Sequence, residues 1–211
     1  GSYMAFVNSV LNWWIKKRIH QIELFNKYPI DVQNEVIKKL IYSGRDTEWG
    51  KEYGYKSIKS IKKFQSQVPI STYENIKPYI DRLRKGEQNL LWNEEINWFA
   101  KSSGTTAGKS KYIPVSPSSL EECHYKGGKD MLAMYFNLYP ESELFEGKSL
   151  VMGGSRNILE VSNRTYIEGD LSAILMQNLP FWAQFKRVPS LTIALMDEWE
   201  NKLELMAEST M

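Results

Sequence analysis

The chain has 211 residues, of which 42% are hydrophobic and 25% charged, and a net charge of +2. That balance excludes an intrinsically disordered chain and suits one sizeable domain or a large piece of a bigger one. With one cysteine, Cys123, and two histidines, His20 and His124, neither an internal disulfide framework nor a zinc ligand set is expected. No apolar run is long enough for a transmembrane helix and no dense basic stripe exists, so neither a membrane nor a nucleic acid is an expected partner.

Gly1-Ser2-Tyr3-Met4 reads as a cloning scar ahead of an initiator Met4, and no signal peptide follows it, which points to the cytoplasm. Residues 6–27 predict a helix with Val7, Leu11, Trp14, Ile15, Ile22 and Phe25 on one side, widened by Val10 and Trp13, and Lys16-Lys17-Arg18 on a solvated face. A second helix is predicted from Pro29 to Ser43, with Asp31 near its start and Gly44 as its stop. Shorter helices follow at Thr47–Tyr53, Ser57–Ser66 and Thr72–Lys85, punctuated by Pro69 and Gly86. Asp46, Glu48 and Glu52 read as a solvated helix start rather than a carboxylate site.

Beyond residue 88 the texture changes. Asn89–Trp92, Asn97–Ala100 and Lys111–Val115 have strand length and composition. Ser116 or Ser118 caps a long helix to about Tyr139, in which Gly127-Gly128 marks a kink or a close approach of helix to sheet. Met131, Met134, Tyr135 and Phe136 read as core packing, with an acyl pocket as the alternative. Lys148–Met152 is a predicted strand entering Gly153-Gly154-Ser155-Arg156, read as a tight turn before a ligand-facing one. Helices are predicted at Asp170–Asn178 and at Leu191–Glu208, the latter with Leu191, Leu195, Trp199, Leu203 and Met206 on one side. The fold class is α/β in the mixed α+β sense: 5–88 mostly helical, 89–211 strands and helices. An apolar helix face arriving at the end of the sequence suggests a fragment of a larger protein.

The densest chemistry lies between two predicted strands, at Lys101-Ser102-Ser103-Gly104-Thr105-Thr106-Ala107-Gly108-Lys109-Ser110-Lys111. A polyphosphate needs close backbone N–H groups, hydroxyl donors and a cation, and Gly, Ser/Thr and Lys supply these. A turn with successive N–H groups forms an anion-binding nest. Two alternatives stand beside this one. A polar turn without a ligand has similar composition. A Walker A loop matches Gly108-Lys109-Ser110, but its first Gly falls on Ser103 and a Walker loop must open a helix, whereas Tyr112-Ile113-Pro114-Val115 is strand-like.

Ser102-Ser103-Gly104-Thr105-Thr106-Ala107-Gly108-Lys109-Ser110-Lys111 resembles the first ATP motif of adenylate-forming enzymes, the group of acyl-CoA synthetases and firefly luciferase. With Tyr112-Ile113-Pro114-Val115 following, it resembles a narrower family, the plant auxin- and jasmonate-conjugating acyl amido synthetases (Gretchen Hagen type) and their bacterial relatives. Thr47-Glu48-Trp49-Gly50, Val68-Pro69-Ile70-Ser71-Thr72-Tyr73-Glu74 and the run from Trp199-Glu200 to Ala207-Glu208-Ser209-Thr210 share that likeness. The resemblance implies the N-terminal part of a large adenylation domain, with the small C-terminal domain absent. It implies a reaction in which a carboxylate takes the α-phosphate of ATP, with Mg²⁺ on the phosphates, and an amine such as an amino acid then displaces AMP. Ser102, Ser103, Gly104, Thr105, Thr106 and Gly108 would hold the phosphates, and Lys111, aligned with the motif lysine, would supply the catalytic positive charge. Lys109 would be a solvent-exposed loop residue. A chain of this extent is expected to be inactive alone. The competing functional classes are a helical interaction module and a P-loop NTPase.

Overall fold

The computed structural model describes residues 2–102, 109–141, 149–150, 154, 156–161, 164–179, 187–188, 190–196 and 198–210. Helix α1 (Ser2–Lys27) and helix α2 (Pro29–Gly44) are parted only by Tyr28. Pro29 suits the first turn of α2, where a backbone N–H has no intrahelical partner. Only the middle of the predicted α1 face is covered. Ile15 is buried, and Leu11, Trp14 and Ile19 pack with it on Ala133 and Phe136 of α7 (Lys126–Leu138). Val7 and Phe25 stay exposed, as do Val10 and Trp13. The reason is length: α1 has 26 residues and α7 has 13. Arg18 fixes the contact by forking onto Asp130, Nε to Oδ1 at 2.6 Å and Nη2 to Oδ2 at 2.8 Å. The guanidinium holds the Asp130 carboxyl below its ordinary range through that hydrogen bond.

The short helix α3 (Glu48–Glu52) starts at Thr47, whose hydroxyl oxygen accepts the Gly50 N–H at 3.0 Å and donates to the Gly44 carbonyl at 2.7 Å. A Cβ on Gly50 would overlap that same Gly44 carbonyl, so the helix start requires glycine there. Asn89–Trp92, predicted as a strand, serves this helix instead. The Asn89 and Leu90 carbonyls accept the N–H groups of Glu48 and Trp49, both at 3.0 Å, and Asn89 takes φ 59°. The orphan donors of a helix N-terminus thus draw the segment out of any sheet. A 3₁₀ turn (Tyr55–Ser57), α4 (Ile61–Gln67) and α5 (Tyr73–Arg84) follow. The Asn75 side chain accepts the Thr72 N–H at 3.0 Å and sets the start of α5.

The main sheet has the order β2-β1-β5-β4, from β1 (Trp98–Lys101), β2 (Tyr112–Val115), β4 (Arg156–Val161) and β5 (Arg164–Gly169). β1 and β2 form an antiparallel pair in which Lys101 faces Tyr112. β1 and β5 are parallel, with Ala100 beside Gly169. Its core joins Leu83, Leu90, Ile96, Phe99 and Tyr166. The β4–β5 pair is absent from the sequence-based expectations. β4 is an edge strand with Ile158 and Leu159 exposed, and β5 buries Glu168 beside Tyr166 on one face. Neither strand therefore shows the apolar alternation by which strands are recognised. A second, two-stranded parallel sheet pairs β3 (Ser149–Leu150) with β6 (Arg187–Val188). The remainder of the predicted strand, Lys148, Val151 and Met152, lies outside the described residues.

Ser116 caps the helix after β2, accepting the Ser119 N–H at 3.1 Å. α6 (Pro117–Ser119) passes through a π segment (Leu120–Tyr125) into α7. Nothing lies within 4 Å of where a Cβ would stand on Gly127 or Gly128, so no close approach to the sheet explains the pair. α8 (Leu171–Gln177) falls within the predicted helix over Asp170–Asn178. The single helix expected over Leu191–Glu208 is two: α9 (Leu191–Ala194) and α10 (Trp199–Thr210). Ala194 and Leu195 are drawn into one apolar cluster with Ala173 and Met176 of α8, which interrupts the helix. In α10 Lys202 and Met206 are buried while Leu203 is exposed, shifting the expected face. Among the described residues no helix is long and apolar enough to cross a membrane.

Candidate functional site

The loop between β1 and β2 leaves the sheet through a closed neck. The Ser102 N–H donates to the Lys111 carbonyl at 2.9 Å, and the Lys111 N–H donates to the Ser102 hydroxyl oxygen at 3.0 Å. The antiparallel ladder therefore continues one pair beyond Lys101 and Tyr112, with a side-chain oxygen taking the place of a backbone acceptor. Ser102 and Lys111 are thus brought together. Of the other residues assigned to phosphate binding, Ser103, Gly104, Thr105, Thr106 and Gly108 lie outside the described residues. Lys109 is exposed and Lys111 half-buried. Lys109, Ser110 and Lys111 lead into a strand rather than a helix, which removes the Walker A alternative on structural grounds.

Helix α5 braces this neck from the outside. Among the described residues β2 is an edge strand of its sheet, so the outward backbone groups of Tyr112 need a partner. The Tyr73 hydroxyl, at the first residue of α5, accepts the Tyr112 N–H at 3.0 Å and lies 3.4 Å from the Tyr112 carbonyl. The Lys111 ammonium sits over the Tyr73 ring, 5.2 Å from its centroid. Three turns on, the Arg84 guanidinium lies 3.6 Å from the centroid of the Tyr112 ring and donates from Nε to Glu168 Oε1 at 2.6 Å. Burial lowers the Arg84 pKa, but the bond to Glu168 and its charge outweigh that, and the net shift is upward. One helix thereby ties the loop's outgoing strand, β2, to the inner strand β5.

Because β1 and β5 are parallel, the loop neck and the β5–α8 junction lie at the same end of the sheet. Open α/β sheets place ligands at the carboxyl ends of parallel strands. Gly154 is buried there against Asp170, and a Cβ at this position would overlap the Asp170 side chain. That packing accounts for the glycine; Gly153 and Ser155 lie outside the described residues.

The other candidate groups resolve differently. Asp46 pairs with Lys56 at 3.2 Å, Glu48 with Arg82 at 2.8 Å, and Glu52 accepts the Tyr79 hydroxyl at 2.8 Å, so the three carboxylates serve separate contacts. The bond to Glu52, with burial, pushes the Tyr79 hydroxyl up to about 12. Core packing holds for Phe136 but not for Met131, Met134 or Tyr135, which are exposed. Cys123 is an exposed free thiol. Among the described residues no group of three His, Cys, Asp or Glu side chains is placed to hold a metal. Tyr73, Arg84 and Glu168 are not among the candidates that the sequence offers. Their roles depend on contacts 39 and 84 residues distant in the chain, and local pattern carries no signal of them.

The sequence model of the GH3 family N-terminal domain matches residues 18–211. An indole-3-acetic acid-amido synthetase, GH3.3 of Arabidopsis thaliana, is 30% identical over 135 residues, covering 64% of this chain and 22% of its own. The jasmonoyl–L-amino acid synthetase JAR4 of Nicotiana attenuata is 29% identical over 104 residues, covering 49% of this chain and 18% of its own. The solved GH3.15 acyl acid amido synthetase superposes with a TM-score of 0.63 at 22% identity, covering 82% of this chain and 30% of that one. The same enzyme in complex with 2,4-DB gives 0.64 at 23% identity, over 77% of this chain and 28% of that one. The chain thus spans about a fifth of the curated relatives it matches. The match over nearly its whole length, and a fold shared with a solved member, make this chain a member of the GH3 family, in the part described as its N-terminal domain.

Proposed function

We propose that the chain is the N-terminal part of an acyl acid amido synthetase, a cytoplasmic ligase that uses ATP and Mg²⁺ to adenylate a carboxylic acid and passes the acyl group to an amine such as an amino acid. The observation that supports this most directly is the hairpin neck. Ser102 and Lys111 close the base of a Ser/Gly/Thr loop at the carboxyl end of a parallel strand pair, and the Lys111 side chain is the cation that this base carries. The donor set suits a polyphosphate: hydroxyls, glycine N–H groups and an ammonium, with no carboxylate in the loop itself. The Ser102 hydroxyl oxygen is occupied by the Lys111 N–H, so Ser102 shapes the loop's base as well as facing it. In this reading Ser103, Gly104, Thr105, Thr106 and Gly108 cradle the phosphates, and Lys111 offsets the negative charge that grows as the acid attacks. The nucleotide supplies the activated phosphate. The chain's residues supply alignment and charge, which is where the rate gain of phosphate-linked transfers resides. Mg²⁺ would be held chiefly by phosphate oxygens, in keeping with its preference for few protein ligands.

The complete gene product, given ATP, Mg²⁺ and a panel of aromatic and aliphatic carboxylic acids, should release pyrophosphate with at least one acid. Lys111→Ala should slow this by about 100-fold, the scale of losing one charge-stabilising group, while Lys109→Ala leaves it near normal. An absence of pyrophosphate across the panel, or a Lys111→Ala protein of normal rate, would sink the assignment.

A further inference from the structure

We propose that Tyr73 is a positioning residue for nucleotide binding: its ring holds the Lys111 ammonium beside the neck of the loop, and its hydroxyl pins the strand that carries Lys111. This rests on the reading of Lys111 as a phosphate-binding cation.

A lysine side chain carries much rotamer entropy, part of which must be given up when the ammonium settles on one anion. A protein reduces that cost by fixing the backbone and offering the ammonium one favoured seat before the ligand arrives. Both devices are visible at Lys111. Its N–H and carbonyl are tied to Ser102 on the inner side of the hairpin. The next residue, Tyr112, is tied by its N–H to the Tyr73 hydroxyl on the outer side, where β2 has no neighbouring strand among the described residues. The Tyr73 ring then provides a negative face 5.2 Å from the ammonium. Among the described residues no carboxylate forms an ion pair with Lys111. The ring is therefore a seat that holds the charge without neutralising it, and the ammonium keeps its place on the ring while it faces an arriving phosphate. Tyr73 is only partly buried at the start of α5, so replacing it need not disturb the core.

An exposed cation–π contact contributes about 0.5–1 kcal/mol, which corresponds to about a 2- to 5-fold change in a dissociation constant. ATP binding to the complete gene product, titrated calorimetrically with Mg²⁺ and without acid, is measured for wild type, Tyr73→Leu, Tyr73→Phe, Lys111→Ala and the Tyr73→Leu/Lys111→Ala double variant. Thermal midpoints establish that each is folded. Tyr73→Leu should weaken ATP binding by about 2- to 5-fold, and Tyr73→Phe, which keeps the ring, by less. In the Lys111→Ala background Tyr73→Leu should add nothing, because its effect runs through the missing ammonium. If the two losses multiply instead, Tyr73 is a brace independent of Lys111 and the proposal is overturned while the functional reading survives. A Tyr73→Leu protein that binds ATP like wild type, beside a Lys111→Ala protein that does not, overturns it in the same way. A Lys111→Ala protein with normal ATP affinity removes the functional reading itself, and this inference with it.

Discussion

Replacing Arg84 with methionine isolates the contact that ties α5 to the centre of the sheet. Glu168 is 6% exposed, on a strand flanked by β1 and β4, and its partner is the Arg84 Nε at 2.6 Å. Removing one member of a fully buried pair costs about 3–5 kcal/mol, because the other charge is left without compensation. The Arg84 side chain is 29% exposed, so water reaches the vacated site in part and the cost falls to about 2–3 kcal/mol. Loss of the stacking on Tyr112 adds about 0.5–1 kcal/mol. For a chain of 211 residues that sum lowers the midpoint of thermal unfolding by about 5–15 °C. Urea titration of Arg84→Met should show a lower midpoint with an unchanged slope. The double variant Arg84→Met/Glu168→Leu should recover most of the loss, since an apolar pair of similar volume avoids the stranded charge. An Arg84→Met protein within about 0.5 kcal/mol of wild type would refute the reasoning, as that is the range of an ordinary surface substitution.

Two further substitutions test the helical part. Asp130 is held below its ordinary pKa of 3.8 by the hydrogen bond and charge of Arg18. A carboxyl depressed in the folded state contributes stability above its unfolded pKa and loses it as pH falls through the folded value. The stability gap between wild type and Asp130→Asn, about 1–2 kcal/mol for a charge-assisted bond, should therefore be constant from neutral pH to about 5 and close below about 4, read as urea midpoints across pH. Gly50→Ala should cost about 3 kcal/mol or more, because the Cβ overlaps the Gly44 carbonyl that also anchors Thr47; loss of soluble protein or a midpoint lowered by about 6 °C or more would register it.

Where residues act on near neighbours, the sequence is a good guide to this fold. Pro29, Thr47, Thr72 and Ser116 stand at helix starts, and the helices begin beside them, whereas the helix expected from Ser57 begins at Ile61 behind a Ser60 cap. The two strands of the loop hairpin are equally legible, because β-branched and aromatic residues bracket a polar turn. Long-range pairing is where legibility ends. Asn89–Trp92 looks like a strand but its carbonyls are consumed by α3. β5 conceals itself by burying a glutamate whose partner is on another helix. The same holds for the candidate site: Ser102 and Lys111 are visible in the motif, whereas the bracing by Tyr73 and Arg84 exists only once α5 lies along β2.

The parallel pairing of β1 with β5 also sets an order of assembly. Trp98 can meet Val115 as soon as the hairpin has been made, but its other neighbour, Ile167, lies far downstream. Loop-closure entropy favours the nearer partner first. On a ribosome releasing about 5–20 residues per second, the β1–β2 hairpin stands for several seconds with one flank of β1 uncovered. During that interval the strand's inner edge is open to any other chain with unsatisfied backbone groups. Arrival of the Arg164–Gly169 strand ends the exposure. Chains cut short before that strand should therefore associate through β1, and chains that include it should not.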